Sequence, residues 1–196
     1  MSSPRPLVAV FGSSTAREPD PVWTLAYDLG LALGRGGADV MTGGYGGVMA
    51  ACSRGAHDAG AHVVGVTVDL FERRGPANRW VRERVHTPDL YERLRHIVSR
   101  ADGFVAAPGS IGTLTEVFLT WTLLSVGGRP PGPFVLMGPP WREWLAAQRR
   151  PDLVPDHLFA HVAIAETPAE AARLVLDGIG ARAPGEAGSA ATAGPA

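Results

Sequence analysis

The segment Pro108-Gly109-Ser110-Ile111-Gly112-Thr113-Leu114-Thr115-Glu116 joins a glycine-rich turn to a carboxylate. It follows a short apolar run, Gly103 to Ala107, and opens an apolar-periodic stretch, Val117 to Leu124. That order reads as strand, turn, helix. Such a turn aims backbone N–H groups and the positive end of a helix at one point, which suits a phosphate. Glu116 lies one helical turn further in, where a carboxylate does nothing for anion affinity. An acid held beside a phosphate cradle points to chemistry on a phosphorylated substrate. The same spacing makes Thr113-Leu114-Thr115-Glu116 a capping box, with Thr113 at the N-cap and Glu116 three residues on. The two readings are not exclusive, and spacing alone leaves both open.

Two further groups could serve such a site. Gly43-Gly44-Tyr45-Gly46-Gly47 stands between an apolar run and a helix-period stretch. Glycine there permits positive φ and close approach of backbone to a ligand, or simply a tight turn. It is not a dinucleotide fingerprint. The spacing is Gly-Gly-x-Gly-Gly, it follows the second strand, and the usual ribose-binding acid ~20 residues on is not obvious after the third strand. NAD is therefore not expected. Arg93 shares a helix face with His96 and Arg100, beside the stripe Leu90, Leu94, Ile97 and Ala101. It is either a solvated arginine with a buried stem or a guanidinium fork for phosphate.

Other chemistries find no support. His157 and His161 have i,i+4 spacing, but no glutamate follows His157 and Pro155-Asp156 reads as a loop. His57 and His62 straddle a helix end and a strand, so a zinc site is not expected. Ser110 sits in Pro-Gly-Ser-Ile-Gly, one place out of a nucleophile elbow. The five tryptophans are core or interface anchors by default; Trp121 would line either the substrate pocket or a subunit contact. All 18 basic residues are arginine. Without lysine there is no pyridoxal phosphate Schiff base, no Walker-type phosphate lysine and no Schiff-base aldolase.

The elements that must position these residues alternate along the chain. Leu7 to Phe11 reads as a first strand ending at Gly12-Ser13-Ser14, and Val22 to Gly34 as a helix stopped by Gly36-Gly37. Ala38 to Met41 is a second strand, Val48 to Ala59 a helix, and His62 to Val66 a third strand. Asp69 to Arg84 is a charged, irregular connection with a short strand near Val85, and Leu90 to Ala101 is helical. After the Gly103 strand and Ser110 helix come a strand at Pro133 to Met137, a helix at Trp141 to Gln148, a strand at Val162 to Ile164 and a helix at Pro168 to Leu176. This is an α/β pattern: a parallel sheet with helices on both faces. Ligands bind such sheets off the carboxyl ends of the strands, where strand order reverses. Three small-residue turns, Gly12 to Ser14, Gly43 to Gly47 and Gly109 to Thr113, are expected to converge there.

With 196 residues, 45% hydrophobic and 19% charged, the chain suits one α/β domain over residues 1–181. The Ala/Gly/Pro-rich stretch 182–196 is expected to be a disordered tail. Net charge is −1 with arginines spread along the chain, so no nucleic-acid partner is expected. No apolar run approaches the roughly 20 residues that cross a bilayer. No signal peptide is visible before the first strand. Cys52 is the one cysteine, so no intrachain disulfide forms and a cytoplasmic location is expected.

Gly12-Ser13-Ser14, Gly43-Gly44-x-Gly46-Gly47-Val48-Met49, Glu92-Arg93, and Pro108 to Glu116 followed by Thr120-Trp121 together resemble the LOG family. Its members are cytokinin riboside 5′-monophosphate phosphoribohydrolases, often mislabelled lysine decarboxylases. The resemblance runs from about Leu7 to Trp144. It implies a modified Rossmann fold, usually a homodimer with the site near the subunit interface. It also implies hydrolysis of a nucleoside 5′-monophosphate to free base and ribose 5-phosphate, without metal or cofactor. By position, Arg93 and Glu116 become the catalytic pair. The substrate and its phosphate fall to Gly12, Ser13, Gly43, Gly44, Gly46, Gly47, Met49, Gly109, Ser110, Ile111, Gly112, Thr113, Leu114, Thr115 and Thr120. Two positions depart from the family pattern: Ser110 replaces the second glycine of Pro-Gly-Gly-x-Gly-Thr-x-x-Glu, and Leu94 replaces the lysine after the arginine. Glu72 falls near where the family places a base-contacting acid, across a gapped stretch.

Overall fold

Seven strands, Leu7–Phe11 (β1), Asp39–Thr42 (β2), Val63–Val68 (β3), Glu83–Thr87 (β4), Gly103–Ala106 (β5), Phe134–Met137 (β6) and Ala163–Ala165 (β7), form one sheet in the order β4-β3-β2-β1-β5-β6-β7. Every pairing is parallel. The computed structural model describes residues 4–181, the side chain of Arg74 excepted; the tail expected over 182–196 lies outside the described residues. Five helices connect strands, Pro21–Arg35 (α1), Val48–Asp58 (α2), Leu90–Arg100 (α3), Ile111–Ser125 (α4) and Pro140–Ala147 (α5), and Pro168–Gly180 (α6) follows the last strand.

Both faces of the sheet are covered, which is why its central strands read as unbroken apolar runs rather than alternating ones. Side chains still alternate between faces along each strand. Val8 and Val10 pack with Leu29 and Leu33 of α1, Cys52 of α2 and Val175 of α6. Ala9 and Phe11 join Ile97 of α3, Val117 and Trp121 of α4, and Trp141 of α5. The α/β sheet with helices on both faces is thus the architecture that the alternation of apolar runs implied.

Strand β1 pairs with β2 on one side and β5 on the other, with Ala9 opposite both Met41 and Phe104. The chain builds outward from β1 to β4, then crosses back to β5. That reversal opens a crevice beyond the carboxyl ends of β1 and β5, where the Gly12 and Gly109 turns emerge.

Three elements differ from expectation. The stretches Asp69–Arg74 and Asp156–His161 are short 3-10 turns rather than irregular chain. On α3 the buried residues are Arg93, Ile97 and Val98, whereas Leu90 and Leu94 of the expected stripe are half-buried. A charged residue has taken a core-facing position, and the site explains why.

Candidate active site

The three turns meet through Ser13. Its N–H donates to Pro108 O at 3.1 Å, and its carbonyl accepts the Val48 N–H at 2.7 Å. A Cβ on Gly109 would stand 2.9 Å from Ser13 N, and Gly47, at φ +68°, has no room for one against Ser13 O. Gly12, Ser13, Gly47, Gly109 and the start of α4 are therefore in direct contact, as the topology demanded. Ser13 Oγ also accepts from Thr15 N at 3.1 Å.

Helix α4 begins earlier than the capping-box pattern indicates. Ser110 is the N-cap and Ile111 the first helical residue, so Thr113 and Glu116 both lie inside the helix. The Thr113 side chain folds against Gly109, where a Cβ would overlap its Oγ1. The capping-box reading of Glu116 is thereby overturned. Ser110 itself makes no side-chain cap, unlike Asp89 at the start of α3 and Thr167 at the start of α6, which both accept a backbone N–H. The uncapped end of α4 keeps its positive partial charge available to an anion.

Glu116 is half-buried, and its carboxylate has no hydrogen-bond or ion-pair partner among the described residues. Burial pushes its pKa up from the ordinary 4.5 to about 7, against the opposing pull of the Arg93 charge. Desolvation therefore outweighs attraction here. A carboxyl that titrates near neutrality can give or take a proton under ordinary conditions.

Arg93 projects from α3 into the ends of β2 and β3. Its Nε donates to Val66 O at 2.8 Å and its Nη2 to Gly43 O at 3.3 Å, and its guanidinium lies 5.7 Å from the Phe71 ring centroid. Only 5% of the residue is exposed, which excludes the reading of a solvated arginine. Burial lowers its pKa, while the Glu116 charge, acting in the other direction, raises it. Gly43 is glycine for a steric reason: a Cβ there would overlap Arg93 Nη2 and stand 2.6 Å from Met49 Sδ. Gly43, Met49 and Arg93 are thus packed together, and the Arg93 charge acts on Glu116.

The remaining candidates are spread. Gly44 adopts φ +80°, with its N–H on Thr42 Oγ1 at 3.1 Å. Gly46, Gly109, Ser110, Ile111, Gly112 and Thr115 are exposed, and Leu114 is half-buried. Thr115 Oγ1 is turned back onto Ile111 O. Thr113 and Thr120 are buried, Thr120 completely, and the Thr120 hydroxyl finds no partner. Trp121 is a core anchor, its Nε1 on Leu158 O at 2.8 Å and its ring against Phe159.

Three features had no sequence signal. Tyr45 Oη bridges Val68, accepting from its N–H and donating to its carbonyl, each at 2.9 Å. A hollow of about 250 Å³ is lined by Tyr45, Glu72, Gly75, Pro76, Ala77 and Arg84. It adjoins the glycine turn at Tyr45, and neither Glu116 nor Arg93 lines it. Beside it, Asp69, Glu72 and His86 bring their ligand atoms within 4.8 Å. Arg84 Nη2 already lies against Glu72 Oε1 and His86 Nδ1, so a cation there would meet an arginine.

The sequence model of a family described as possible lysine decarboxylases matches residues 49–175. Curated relatives include the cytokinin riboside 5′-monophosphate phosphoribohydrolase of Mycobacterium tuberculosis, 33% identical over 130 residues, or 62% of this chain and 67% of that protein. An Arabidopsis thaliana phosphoribohydrolase is 30% identical over 128 residues, or 64% and 60%. The chain belongs to the LOG family. It spans about 60% of the Arabidopsis relative's length. Solved structures sharing the LOG-family fold include a molybdenum cofactor binding protein from Rippkaea orientalis (TM-score 0.71, 23% identity, 90% of this chain and 98% of that one). The molybdenum cofactor carrier protein of Chlamydomonas reinhardtii is similar (TM-score 0.70, 24% identity, 90% and 99%). The decarboxylase wording of the family model does not suit this LOG-family chain, which has no lysine to form a pyridoxal phosphate aldimine. No helix among the described residues is long and apolar enough to cross a membrane.

Proposed function

We propose that this chain hydrolyses the N-glycosidic bond of a nucleoside 5′-monophosphate, releasing free base and ribose 5-phosphate. The observation that carries this reading is Glu116: an unpartnered carboxyl raised to about 7 by burial, the sixth residue of a helix whose N-terminus is uncapped. The relatives named as phosphoribohydrolases support it.

In this mechanism the 5′-phosphate sits on the Gly109–Gly112 turn, and that remote binding energy places the anomeric carbon beside Glu116. As the C1′–N bond lengthens, its electron pair leaves with the base and positive charge gathers on the ribose. Ionised Glu116 stabilises that charge and takes a proton from the attacking water. Water oxygen bonds to C1′, and the proton passes from Glu116 to the departing nitrogen. Arg93 holds the turn and sets the field at Glu116; no metal or cofactor takes part. The working unit is a homodimer, supported by Ile111 (78% exposed) and Phe118 (46% exposed) on the same helix as Glu116. The protein acts in the cytoplasm.

Incubating the purified protein with a panel of nucleoside monophosphates, including AMP and a cytokinin riboside monophosphate, tests the reading by chromatography of liberated base. Glu116→Gln lowers turnover ~10²–10⁴-fold, the range for a general acid–base group. A panel in which nucleotides bind but none is cleaved favours a second reading, a nucleotide carrier or sensor. Ser110 and Leu94 favour it, since one puts a Cβ in the phosphate turn and the other removes a cation.

A further inference from the structure

Asn78 lies in the β3–β4 crossover, outside every motif described above, yet it grips the glycine turn. Its backbone N–H and its Nδ2 both donate to Gly44 O, at 2.8 and 3.1 Å. Nδ2 also donates to Tyr45 O at 3.1 Å and lies 3.4 Å from Ser53 Oγ. On its other side, Oδ1 accepts the Trp80 N–H at 3.2 Å, closing the bend that returns the chain to β4. Gly44 and Tyr45 are buried, so their carbonyls need these donors. The residue before them, Gly43, gives its carbonyl to Arg93 Nη2, and the Arg93 charge acts on Glu116.

We propose that Asn78 is a positioning residue for Glu116: by fixing the Gly44 and Tyr45 carbonyls it fixes the Gly43 carbonyl, and with it the Arg93 guanidinium bound to that carbonyl, whose charge acts on Glu116. The catalytic consequence rests on the phosphoribohydrolase reading; the electrostatic one does not.

Two substitutions separate this role from simple support of the loop. Asn78→Asp keeps the shape and the acceptor for Trp80 but loses both side-chain donors. Asn78→Ala removes the amide and adds no charge. In each variant of the full chain, the Glu116 carboxyl carbon is titrated by ¹³C NMR, its resonance assigned with Glu116→Gln. The titration midpoint is expected to rise by about half a pH unit or more in Asn78→Ala, because Arg93 no longer holds its place, and further in Asn78→Asp, where a negative charge is added. On a nucleotide that the wild type cleaves, kcat falls about tenfold or more while KM stays within about threefold. A folded Asn78→Ala protein whose midpoint stays within about 0.2 unit of wild type, or falls, overturns the proposal whatever its activity. Should Asn78→Asp fail to fold, the alanine variant decides alone. A wild type that cleaves no nucleotide removes the phosphoribohydrolase reading only, since the titration needs no turnover.

Discussion

Replacing Glu116 with glutamine tests the electrostatics of the site without requiring a substrate. The side chains are nearly isosteric, so the substitution removes a titrating group and little else. Below about pH 4.5 the carboxyl is protonated in both folded and unfolded chains and contributes no pH dependence. Between 4.5 and about 7 the unfolded chain ionises while the folded protein holds its proton. The folded state then binds more protons, and stability falls as pH rises. Above about 7 both states are ionised and the loss is complete.

At ~1.4 kcal/mol per pH unit, the rise from 4.5 to about 7 sets a ceiling of ~3.5 kcal/mol. Glu116 is half-buried rather than sealed, and water screens part of the penalty, so we expect ~1–2 kcal/mol. Urea unfolding of wild type and Glu116→Gln at pH 4.5, 6 and 8 measures it. The variant should gain on the wild type steadily across that range, with matching m-values. A stability difference that stays flat from pH 4.5 to 8 would show that Glu116 titrates like a solvated carboxyl, and the reasoning from burial would be wrong.

Other consequences follow from the same geometry. Gly43→Ala puts a methyl where the Arg93 guanidinium lies, so it should cost ~1–3 kcal/mol in urea unfolding and raise the Glu116 midpoint. In the wild type, base release should climb with pH to a plateau above about 7, tracking ionisation of Glu116; a rate that falls over the same range would assign it the acid role instead. Cys52 is fully buried and its thiol is pushed up to about 12, so iodoacetamide at pH 8 should label it, by mass spectrometry, only in denaturant. Phe118→Glu alters an exposed ring stacked near Trp121 and Trp144. It should halve the mass measured by light scattering if α4 joins two copies, and leave the monomer's stability within ~0.5 kcal/mol.

The architecture was legible because fully buried parallel strands leave unmistakable apolar runs, and the small-residue turns mark their carboxyl ends. Leu7–Phe11 was bounded to the residue in this way. What local pattern cannot show is which of two compatible local readings tertiary contact selects. Thr113 and Glu116 have capping-box spacing, but packing of Thr113 on Gly109 drew the helix start back to Ser110. Spacing left Arg93 open between a solvated arginine and a phosphate fork, because its acceptors, the carbonyls of Val66 and Gly43, are 27 and 50 residues away. Asn78 was invisible for the same reason, being 34 residues from Gly44, with no periodicity to announce it. The charged stretch Asp69 to Arg84 hid its order in ion pairs such as Arg84 with Glu72, which leave no trace in hydrophobic spacing.

The division of labour within the charge pair follows from where Arg93 places its hydrogen bonds. A guanidinium free to pair with Glu116 would form a bidentate bridge and hold the carboxyl well below its ordinary range. Such a bridge would be stable and inert: the acid could neither accept a proton near neutrality nor approach a sugar. Arg93 instead binds two main-chain carbonyls and makes no ion pair with Glu116 within 4 Å. Its field reaches the carboxyl without occupying it, so burial prevails and the proton affinity settles near pH 7. The carbonyls that hold the arginine belong to β3 and to the turn after β2, and the carboxyl belongs to α4. The raised proton affinity of Glu116 is in this sense a property of the sheet: it depends on keeping two oppositely charged groups close enough to influence each other and too well tethered to meet.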